Sequence, residues 1–508
     1  MKGTLFRCIT ISTWLRTRID RVMSRLTTSI VINVWFLCWL VAGPVLIAAD
    51  GRLEVSPTHP YYFRDGDRHV LLLGVSDRDV FTIWENDKGF SWRAYLDLLA
   101  AHRLNYVRQD VFSWRGIATW VRYPGQYSNP AWPFRRVGPH KAVDGLPRFD
   151  LTQFDQSYFD DRLSPFIRAA KKRGIYVELT LFEGFRRASS FADSLYADEN
   201  NVNHLGLEPR LATSDSALDH PRLLSIQHGF VDKVLAETAD FGNVIYEVAN
   251  ETGGKRWVSH FVDYIHSHPT HPSSLVAAGE QTSAFDPRRG ENDVVVKHRG
   301  GGGLYATDSD VRNHHDALLR FRVGKPVSHN EYFLFANRST RDVNFPRKMM
   351  WADFTAGGHS NFFDFTFWRG TGRTTNDGQR SRPPPEEILK GGQYLLEFVS
   401  RNHVPFWAME PHDELAEIRK IRDSGNEQKH QDVFTFARPG EEYVCYVLGD
   451  GPATVAVQLP DGVYTVRWYD PKSGRFLSPT SSATGGDRRR LSSPDFEQDI
   501  VLHIRASG

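Results

Sequence analysis

Cysteine is scarce in this sequence, which has only three among its 508 residues. Cys8 and Cys38 lie within the N-terminal 49 residues, and only Cys445 lies beyond them. The chain after residue 49 therefore cannot form an internal disulfide, and its fold must depend on a hydrophobic core. The sequence also has no CxxC or HExxH motif, which excludes the most recognisable zinc-site spacings.

Net charge is almost absent as well, with 62 basic residues against 61 acidic ones. A nucleic-acid-binding protein usually carries a strong basic excess, so we expect no nucleic-acid partner. Gly300–Gly303 lacks the Lys-Ser/Thr pair of a phosphate loop, and we interpret it as a mobile loop. His314 and His315 beside Asp316 are the best metal candidate. Adjacent residues on a helix point apart, so we interpret them as the start of a solvated helix, and we predict no metal and no cofactor.

Long hydrophobic runs are missing except near the N terminus. Four arginines (Arg16, Arg18, Arg21 and Arg25) precede an uncharged apolar run over residues 30–49 that ends in small residues. This pattern is typical of a cleaved signal peptide. A run of about 20 residues could also stay in a bilayer as an uncleaved anchor. Both alternatives predict an exported protein (secreted, periplasmic or cell-surface), which contacts a membrane only if the run is an anchor.

Eight short apolar segments recur after residue 69, with helical patterns between them. Each of them ends in polar or aromatic residues, which predicts an α/β fold, a (β/α)8 TIM barrel over residues 50–401. The long connections Ser113–Phe154 and Arg186–Pro221 are expected to be loops over its active face. The eight segments are Val70–Val75, Asn105–Arg108, Ile175–Phe182, Val244–Val248, Ser274–Ala278, Val294–Val296, Pro326–His329 and Phe362–Phe367.

The sequence changes character near residue 402. From Asp432 onward, short alternating strands are separated by turns such as Pro439-Gly440 and Pro460-Asp-Gly462. Strands at this spacing predict a small antiparallel β-sandwich over residues 402–508. The predicted organisation is therefore a leader (1–49), a barrel (50–401) and a sandwich (402–508).

Two predicted strands end in an asparagine followed by a glutamate. The fourth ends in Asn250-Glu251, and the seventh ends in Asn330-Glu331. Strand ends at the carboxyl face of a barrel form its active site, and strands four and seven face each other across the mouth. Two opposed carboxyl groups suit glycoside hydrolysis, with a separation of about 5–5.5 Å in retaining enzymes and about 6.5–9.5 Å in inverting ones.

These residues resemble the retaining glycoside hydrolases of clan A, which include cellulases and mannanases. The resemblance implies that Glu251 is the acid/base, that Glu331 is the nucleophile, and that Asn250 binds the hydroxyl next to the anomeric carbon. It also implies that Arg108 supports the nucleophile and that Trp368 floors the sugar subsite. More closely, residues 50–505 are similar to cellulase-like and apiosidase-like barrels that carry a C-terminal module named for collagen binding.

Other polar side chains are predicted at the same rim, where they bind sugar hydroxyls or serve as structural hydrogen-bonding groups. The clan's strand-six tyrosine has two candidates in this sequence. The candidates for that tyrosine are His298 and Tyr305, and the further rim residues are Asp77, Asp110, Glu183 and Glu280.

The function predicted from these residues is that of a secreted retaining glycoside hydrolase acting on a plant or algal polysaccharide or oligosaccharide. The alternative is a non-catalytic glycan- or matrix-binding protein on a barrel scaffold. Aromatic residues make up 13% of the chain, which suits either a large core or a sugar-stacking cleft. A binding protein has no need of opposed carboxylates, so the glutamate pair favours the hydrolase.

Overall fold

The protein is a closed barrel of parallel strands followed by two antiparallel sheets. The structure is a computed structural model that describes residues 51–76, 80–83, 85–87, 90–112, 117, 131–184, 191–279, 285–298, 307–333, 344–363, 386–418 and 431–507. The predicted leader, residues 1–49, lies outside them. Among the described residues, no helix is long and apolar enough to cross a membrane.

Eight strands close the barrel in the order of the chain, each pairing in parallel with the next, and the eighth pairs with the first. This confirms the predicted barrel. The strands are β1 Leu73–Ser76, β2 Tyr106–Asp110, β3 Tyr176–Glu183, β4 Val244–Asn250, β5 Leu275–Gly279, β6 Val294–Lys297, β7 Val327–Phe333 and β8 His359–Phe363.

The alternation of side chains along β3 shows why these segments form a barrel. Val177, Leu179 and Leu181 belong to the large core between strands and helices. Tyr176 belongs to the small cluster inside the barrel, whereas Glu178 makes its contacts with interior groups of neighbouring strands. Because successive side chains point to opposite faces, one strand serves an apolar outer layer and a more polar interior.

Gly74 lies where β1 approaches the backbone of β2 most closely. A Cβ atom at this position would overlap the carbonyl oxygen of Tyr106. Only glycine leaves room for the two strands to pair here, so this position is set by the close approach of two backbones.

Helices cover the outside of the barrel. Among the described residues, the connection between β5 and β6 contributes no helix, so the strand–helix alternation is incomplete there. The principal helices are Trp92–Ala101, Ser164–Lys172, Pro221–Thr238, Lys255–His266, Asp308–Leu319, Phe345–Thr355 and Glu386–Arg401.

The predicted loop Ser113–Phe154 contains regular structure in its described part. Phe134–Lys141 and Pro147–Phe154 pair as an antiparallel hairpin. The other long connection, Arg186–Pro221, contains 3₁₀ turns at Leu211–Thr213 and Asp215–Asp219. At the amino-terminal end of the barrel, a sheet of Leu53–Val55, Phe63–Asp65 and Arg68–Val70 packs against the apolar interior.

The C-terminal region forms the predicted β-sandwich from a seven-stranded and a three-stranded sheet, both antiparallel. The larger sheet contains Glu410–Pro411, Asp432–Arg438, Glu442–Leu448, Val463–Asp470, Arg475–Phe476, Ser481–Thr484 and Asp499–Ala506. The smaller one contains Ala416–Ile418, Thr454–Leu459 and Asp487–Ser492. Apolar side chains of both sheets form a core of their own.

The sandwich also shares a core with the barrel. Trp351, on the helix that follows β7, stacks on Tyr446 of the large sheet with ring centroids 5.8 Å apart. Phe398, on the last barrel helix, packs against Tyr469 at 4.9 Å. The interface is therefore built from large buried aromatic rings, which is typical of a permanent contact between domains.

Candidate active site

Asn250 and Glu251 lie at the carboxyl end of β4, where the sequence predicted them. Asn250 is the buried last residue of the strand, and Glu251 is partly exposed just beyond it. The backbone of Glu251 has a left-handed φ of 49°, which is uncommon for a residue other than glycine. Such backbone strain persists only where the surroundings impose it, and it concentrates at functional sites.

The turn after Glu251 is anchored to the connection between β3 and β4. The hydroxyl groups of Thr252 and Thr213 are hydrogen-bonded at 2.6 Å. The backbone N–H of Gly254 donates to the carbonyl oxygen of Thr213 at 2.8 Å. These contacts fix the backbone that follows Glu251, and β4 fixes the backbone that precedes it.

Arg108 lies on β2, and its side chain is fully buried inside the barrel. Its Nε donates to Oε2 of Glu247 at 2.7 Å, and its Nη2 donates to Oε1 of the same carboxylate at 2.9 Å. Nη2 also donates to Oδ1 of Asn250 at 2.8 Å. The guanidinium group therefore orients the amide that directly precedes Glu251.

Glu178 on β3 is the second buried carboxyl group beside Arg108. Its Oε1 lies 3.6 Å from Nε of Arg108, farther away than the carboxylate of Glu247. The Tyr106 hydroxyl is hydrogen-bonded to Glu178, and the amide of Asn330 on β7 donates to it. Glu178 thus connects β2 and β3 with the strand that carries Glu331.

The two buried carboxyl groups differ in acidity. Burial and the charge of Glu247 raise the pKa of Glu178 above its usual range. Burial also opposes the ionisation of Glu247, but the Arg108 guanidinium outweighs it, with help from His298 and Thr180, and the pKa of Glu247 is lowered. Glu247 is therefore the carboxylate that holds Arg108 at neutral pH, and Glu178 is the group that retains a proton most readily.

Three further rim residues predicted from the sequence are buried at this end of the barrel. Glu183 ends β3 and accepts from the amide of Asn250 at 3.2 Å. His298 follows β6, with its Nε2 3.4 Å from Oε1 of Glu247. Asp110 ends β2 and is fully buried. Glu183 and His298 thus contact the same network as Arg108 and Asn250.

The remaining predicted site residues are only partly described. The backbone of Glu331 lies in β7, but its side chain lies outside the described part of the structure. The strand has a register shift between His329 and Tyr332, which places Asn330 and Glu331 together opposite Asn361 of β8. Four residues lie wholly outside the described residues, namely Asp77, Glu280, Tyr305 and Trp368.

Sequence reasoning missed Glu178, Glu247 and the role of Asn330, because it considered only the ends of the strands. A signal was present in the two carboxylates that interrupt apolar strands, Val177-Glu-Leu179 and Tyr246-Glu-Val248. A charged residue in the middle of a buried strand must find a partner inside the protein. Arg108 is that partner for Glu247, and Glu178 is hydrogen-bonded to Tyr106 and Asn330 beside it.

The interpretation of His314 and His315 as a solvated helix start is wrong. Both side chains are fully buried in the middle of the helix Asp308–Leu319. His314 is hydrogen-bonded to Asp353 at 2.6 Å, and His315 stacks on Phe434 of the sandwich. The hydrophobic core extends over this helix because the sandwich covers it.

Two groups of side chains in the described structure could share a cation. One is His314, His329 and Asp353, and the other is His315, Asp316 and Asp413. In the first group, Asp353 also accepts from Ser360, and Nε2 of His329 faces the carbonyl oxygen of His298 at 3.1 Å. These contacts form a hydrogen-bonded network between β7, β8 and the helices Asp308–Leu319 and Phe345–Thr355.

Comparison with known proteins finds the same architecture in glycoside hydrolases. One solved structure described as a glycoside hydrolase has a TM-score of 0.56, is 12% identical, and covers 90% of this chain and 97% of its own. A glycoside hydrolase family 5 structure from Bacteroides vulgatus has a TM-score of 0.57, with 13% identity and coverage of 90% and 93%. At these identities the similarity shows the fold.

A family model, described as a domain of unknown function (DUF6298), matches residues 122–279. The match includes β3, β4 and β5, and therefore Glu178, Glu247, Asn250 and Glu251. No curated protein matches the chain.

Proposed function

We propose that this protein is a retaining glycoside hydrolase that uses Glu251 as acid/base and Glu331 as nucleophile. The observation that carries the proposal is the position of the two glutamates. Glu251 directly follows β4, and Glu331 lies in β7, three strands farther around a closed ring of eight. Residues in these positions can bracket one glycosidic bond at the carboxyl face of the barrel.

Retention of configuration requires two chemical steps at the anomeric carbon. Glu331 attacks the anomeric carbon while protonated Glu251 donates its proton to the leaving oxygen, which breaks the glycosidic bond and forms a glycosyl–enzyme ester. Glu251 then removes a proton from water, which attacks the same carbon and releases Glu331 as a carboxylate. The carboxyl separation that we expect is about 5–5.5 Å.

The local backbone supports these roles. Bulges near active sites re-aim side chains, and the register shift in β7 includes Glu331. The strained backbone of Glu251 is held from both sides. Asn250, bonded to Arg108 and Glu183, is oriented to bind the hydroxyl next to the anomeric carbon.

The remaining predicted residues complete the proposed subsite. We propose that Trp368 stacks on the sugar ring, and that Arg108 stabilises the charge of Glu331. The other polar rim positions bind sugar hydroxyls or serve as structural hydrogen-bonding groups. These positions are Asp77, Asp110, Glu183, Glu280, His298 and Tyr305.

The proposed substrate is a plant or algal polysaccharide or an oligosaccharide derived from it. The plant or algal origin follows from the resemblance to cellulase-like and apiosidase-like barrels, and the solved glycoside hydrolases that share the architecture support a glycan substrate in general. Plant and algal polysaccharides occur outside the cell that makes the enzyme. A substrate of this kind is consistent with the proposed export signal in residues 1–49.

The stereochemistry of the first product tests this proposal. The protein is incubated with a panel of plant and algal glycans, and the anomeric protons of the first-formed product are followed by NMR. We expect the newly released reducing end to have the configuration of the substrate, because two displacements restore it. A 2-deoxy-2-fluoro glycoside should also label Glu331, as read by peptide mass. An inverted product would contradict the mechanism, and glycan binding without hydrolysis would favour the non-catalytic alternative.

A further inference from the structure

The two candidate catalytic glutamates are anchored to one buried group of side chains. Each of them is directly preceded by an asparagine, Asn250 in β4 and Asn330 in β7. The amide oxygen of Asn250 accepts from Arg108 at 2.8 Å, and the amide nitrogen of Asn330 donates to Glu178. Arg108 and Glu178 lie side by side in register on β2 and β3. A short path of contacts therefore connects both catalytic strand ends.

The charges in this group do not balance. Arg108, Glu178 and Glu247 are each 0% exposed. One guanidinium and two ionised carboxylates would leave a net negative charge in the interior of the barrel, which is costly to bury. Protonation of one carboxyl group removes that charge. Glu247 accepts two hydrogen bonds from Arg108, at 2.7 and 2.9 Å, whereas Glu178 lies 3.6 Å from it. Glu178 is therefore the better site for the proton.

The surroundings of Glu178 suit a neutral carboxyl group. On β2, the Tyr106 hydroxyl and the Arg108 guanidinium face Glu178. On β4, the charged group that faces it is Glu247. The Tyr106 hydroxyl also contacts the Ser328 hydroxyl of β7 at 3.0 Å. A protonated Glu178 can donate to Tyr106, Tyr106 can donate to Ser328, and Glu178 can still accept from Asn330. His298, which directly follows β6, is a further ionisable side chain in contact with Glu247.

We propose that Glu178 is a positioning residue that keeps a proton inside the barrel and, through Asn330 and Arg108, aligns Glu331 with Glu251. This inference rests on the proposed hydrolase function. A neutral Glu178 leaves Arg108 bound to Glu247 and Asn250. An ionised Glu178 competes for Arg108 and weakens the contact that orients Asn250.

The kinetic test compares Glu178→Gln with Glu178→Ala on a glycan that the wild type hydrolyses. Glutamine can donate to Tyr106 and accept from Asn330 as a protonated glutamate does, so we expect kcat within about threefold of the wild type. Alanine removes both contacts, and we expect kcat to fall by about ten- to a hundredfold with little change in KM, because small misalignments of catalytic groups are that costly.

The pH dependence of stability tests the buried proton. The folded-state pKa of Glu178 is raised above its unfolded value. Its contribution to stability is therefore fully present below the unfolded pKa, about 4.3, and is lost as the pH rises through the raised folded value. Glutamine cannot ionise. The free energy of unfolding of Glu178→Gln, relative to the wild type, should therefore increase between about pH 4 and about pH 8, as measured by urea denaturation.

Glu442→Gln is a matched control, because Glu442 is a buried carboxylate in the sandwich with a pKa lowered by His503 and Arg505 against the effect of burial. The stability that Glu442 contributes is present above its unfolded pKa, about 4.3, and is lost only as the pH falls through its lowered folded pKa. The stability of Glu442→Gln relative to the wild type should therefore change little between about pH 5 and about pH 8, and kcat should be unchanged. A pH-independent stability difference for Glu178→Gln would overturn the inference. So would a soluble, folded Glu178→Ala variant with wild-type kcat. A wild type inactive on every glycan would instead overturn the proposed function, whereas the stability test does not depend on activity.

Discussion

Replacement of Glu331 by alanine should lower kcat/KM by about a thousandfold or more, on every glycoside that the wild type hydrolyses. Loss of the nucleophile removes the covalent route entirely, and a better leaving group cannot compensate for it. Glu251→Ala should behave differently. Its kcat/KM should fall by about 10²- to 10⁴-fold on glycans. Aryl glycosides of acidic phenols should still form the glycosyl–enzyme, because these phenols leave without a proton. Steady-state kinetics on both substrate classes separate the two roles.

Small anions give a second readout of the same assignment. Azide should restore turnover of an activated aryl glycoside by Glu251→Ala, because azide attacks the glycosyl–enzyme without general-base help, and the product should be a glycosyl azide of retained configuration. Glu54→Ala serves as the control, since Glu54 is exposed on the sheet at the opposite end of the barrel. Its kinetics should match the wild type. Wild-type activity of Glu331→Ala would remove Glu331 from the mechanism.

The second large effect is expected at the contact between the barrel and the sandwich. Arg347 lies in the first turn of the helix that follows β7, and its Nε and Nη2 donate to the buried carboxylate of Asp499 at 3.0 and 2.7 Å. Tyr446 also donates to this carboxylate at 3.0 Å. Arg347→Ala should destabilise the protein by about 3–5 kcal/mol, because it leaves a carboxylate buried without its cation. Denaturant unfolding measures this loss.

A double substitution distinguishes the stability lost with the ion pair from the stability lost with the volume of the Arg347 side chain. Arg347→Met combined with Asp499→Leu removes both charges and should be more stable than Arg347→Ala, since an apolar pair of similar size avoids the stranded charge. The exposed pair Arg438–Glu441 provides the control, and Arg438→Ala should leave the unfolding midpoint nearly unchanged. An Arg347→Ala variant as stable as the wild type would show that the interface does not depend on this ion pair.

This contact also connects the sandwich to the candidate active site. The helix Phe345–Thr355 follows β7, which carries Asn330 and Glu331. On one side the helix packs on the sandwich through Trp351 and Arg347. We therefore expect that Arg347→Ala lowers kcat as well as stability, whatever the sandwich itself binds.

The sequence alone predicted those features that depend on local pattern. Eight apolar segments with polar ends specified the parallel barrel, and alternating strands between turns specified the sandwich. Both follow from the periodicity of side chains, which is readable without knowing any contact. Asn250 and Glu251 were found at the rim for the same reason, since Asn250 ends a strand and Glu251 directly follows it.

The hairpin Phe134–Lys141/Pro147–Phe154 was missed because charged and glycine residues obscure its alternation. His314 and His315 were predicted to start a solvated helix, because adjacent residues on a helix point apart. Their burial results from Asp353 on one side and Phe434 on the other, which are distant in the chain.

For this protein, the sequence by itself determined which segments form the barrel strands and which residues stand at their ends, because both depend on the local pattern of apolar and polar residues. Only the tertiary structure decided how Arg108 divides its hydrogen bonds between Glu247 and Asn250, and which asparagine reaches Glu178. Closing the ring brings side chains from β2, β3, β4 and β7 into one dry interior. There each buried polar group needs a hydrogen-bond partner, and the partner can be as distant in the chain as Asn330 is from Glu178, 152 residues away.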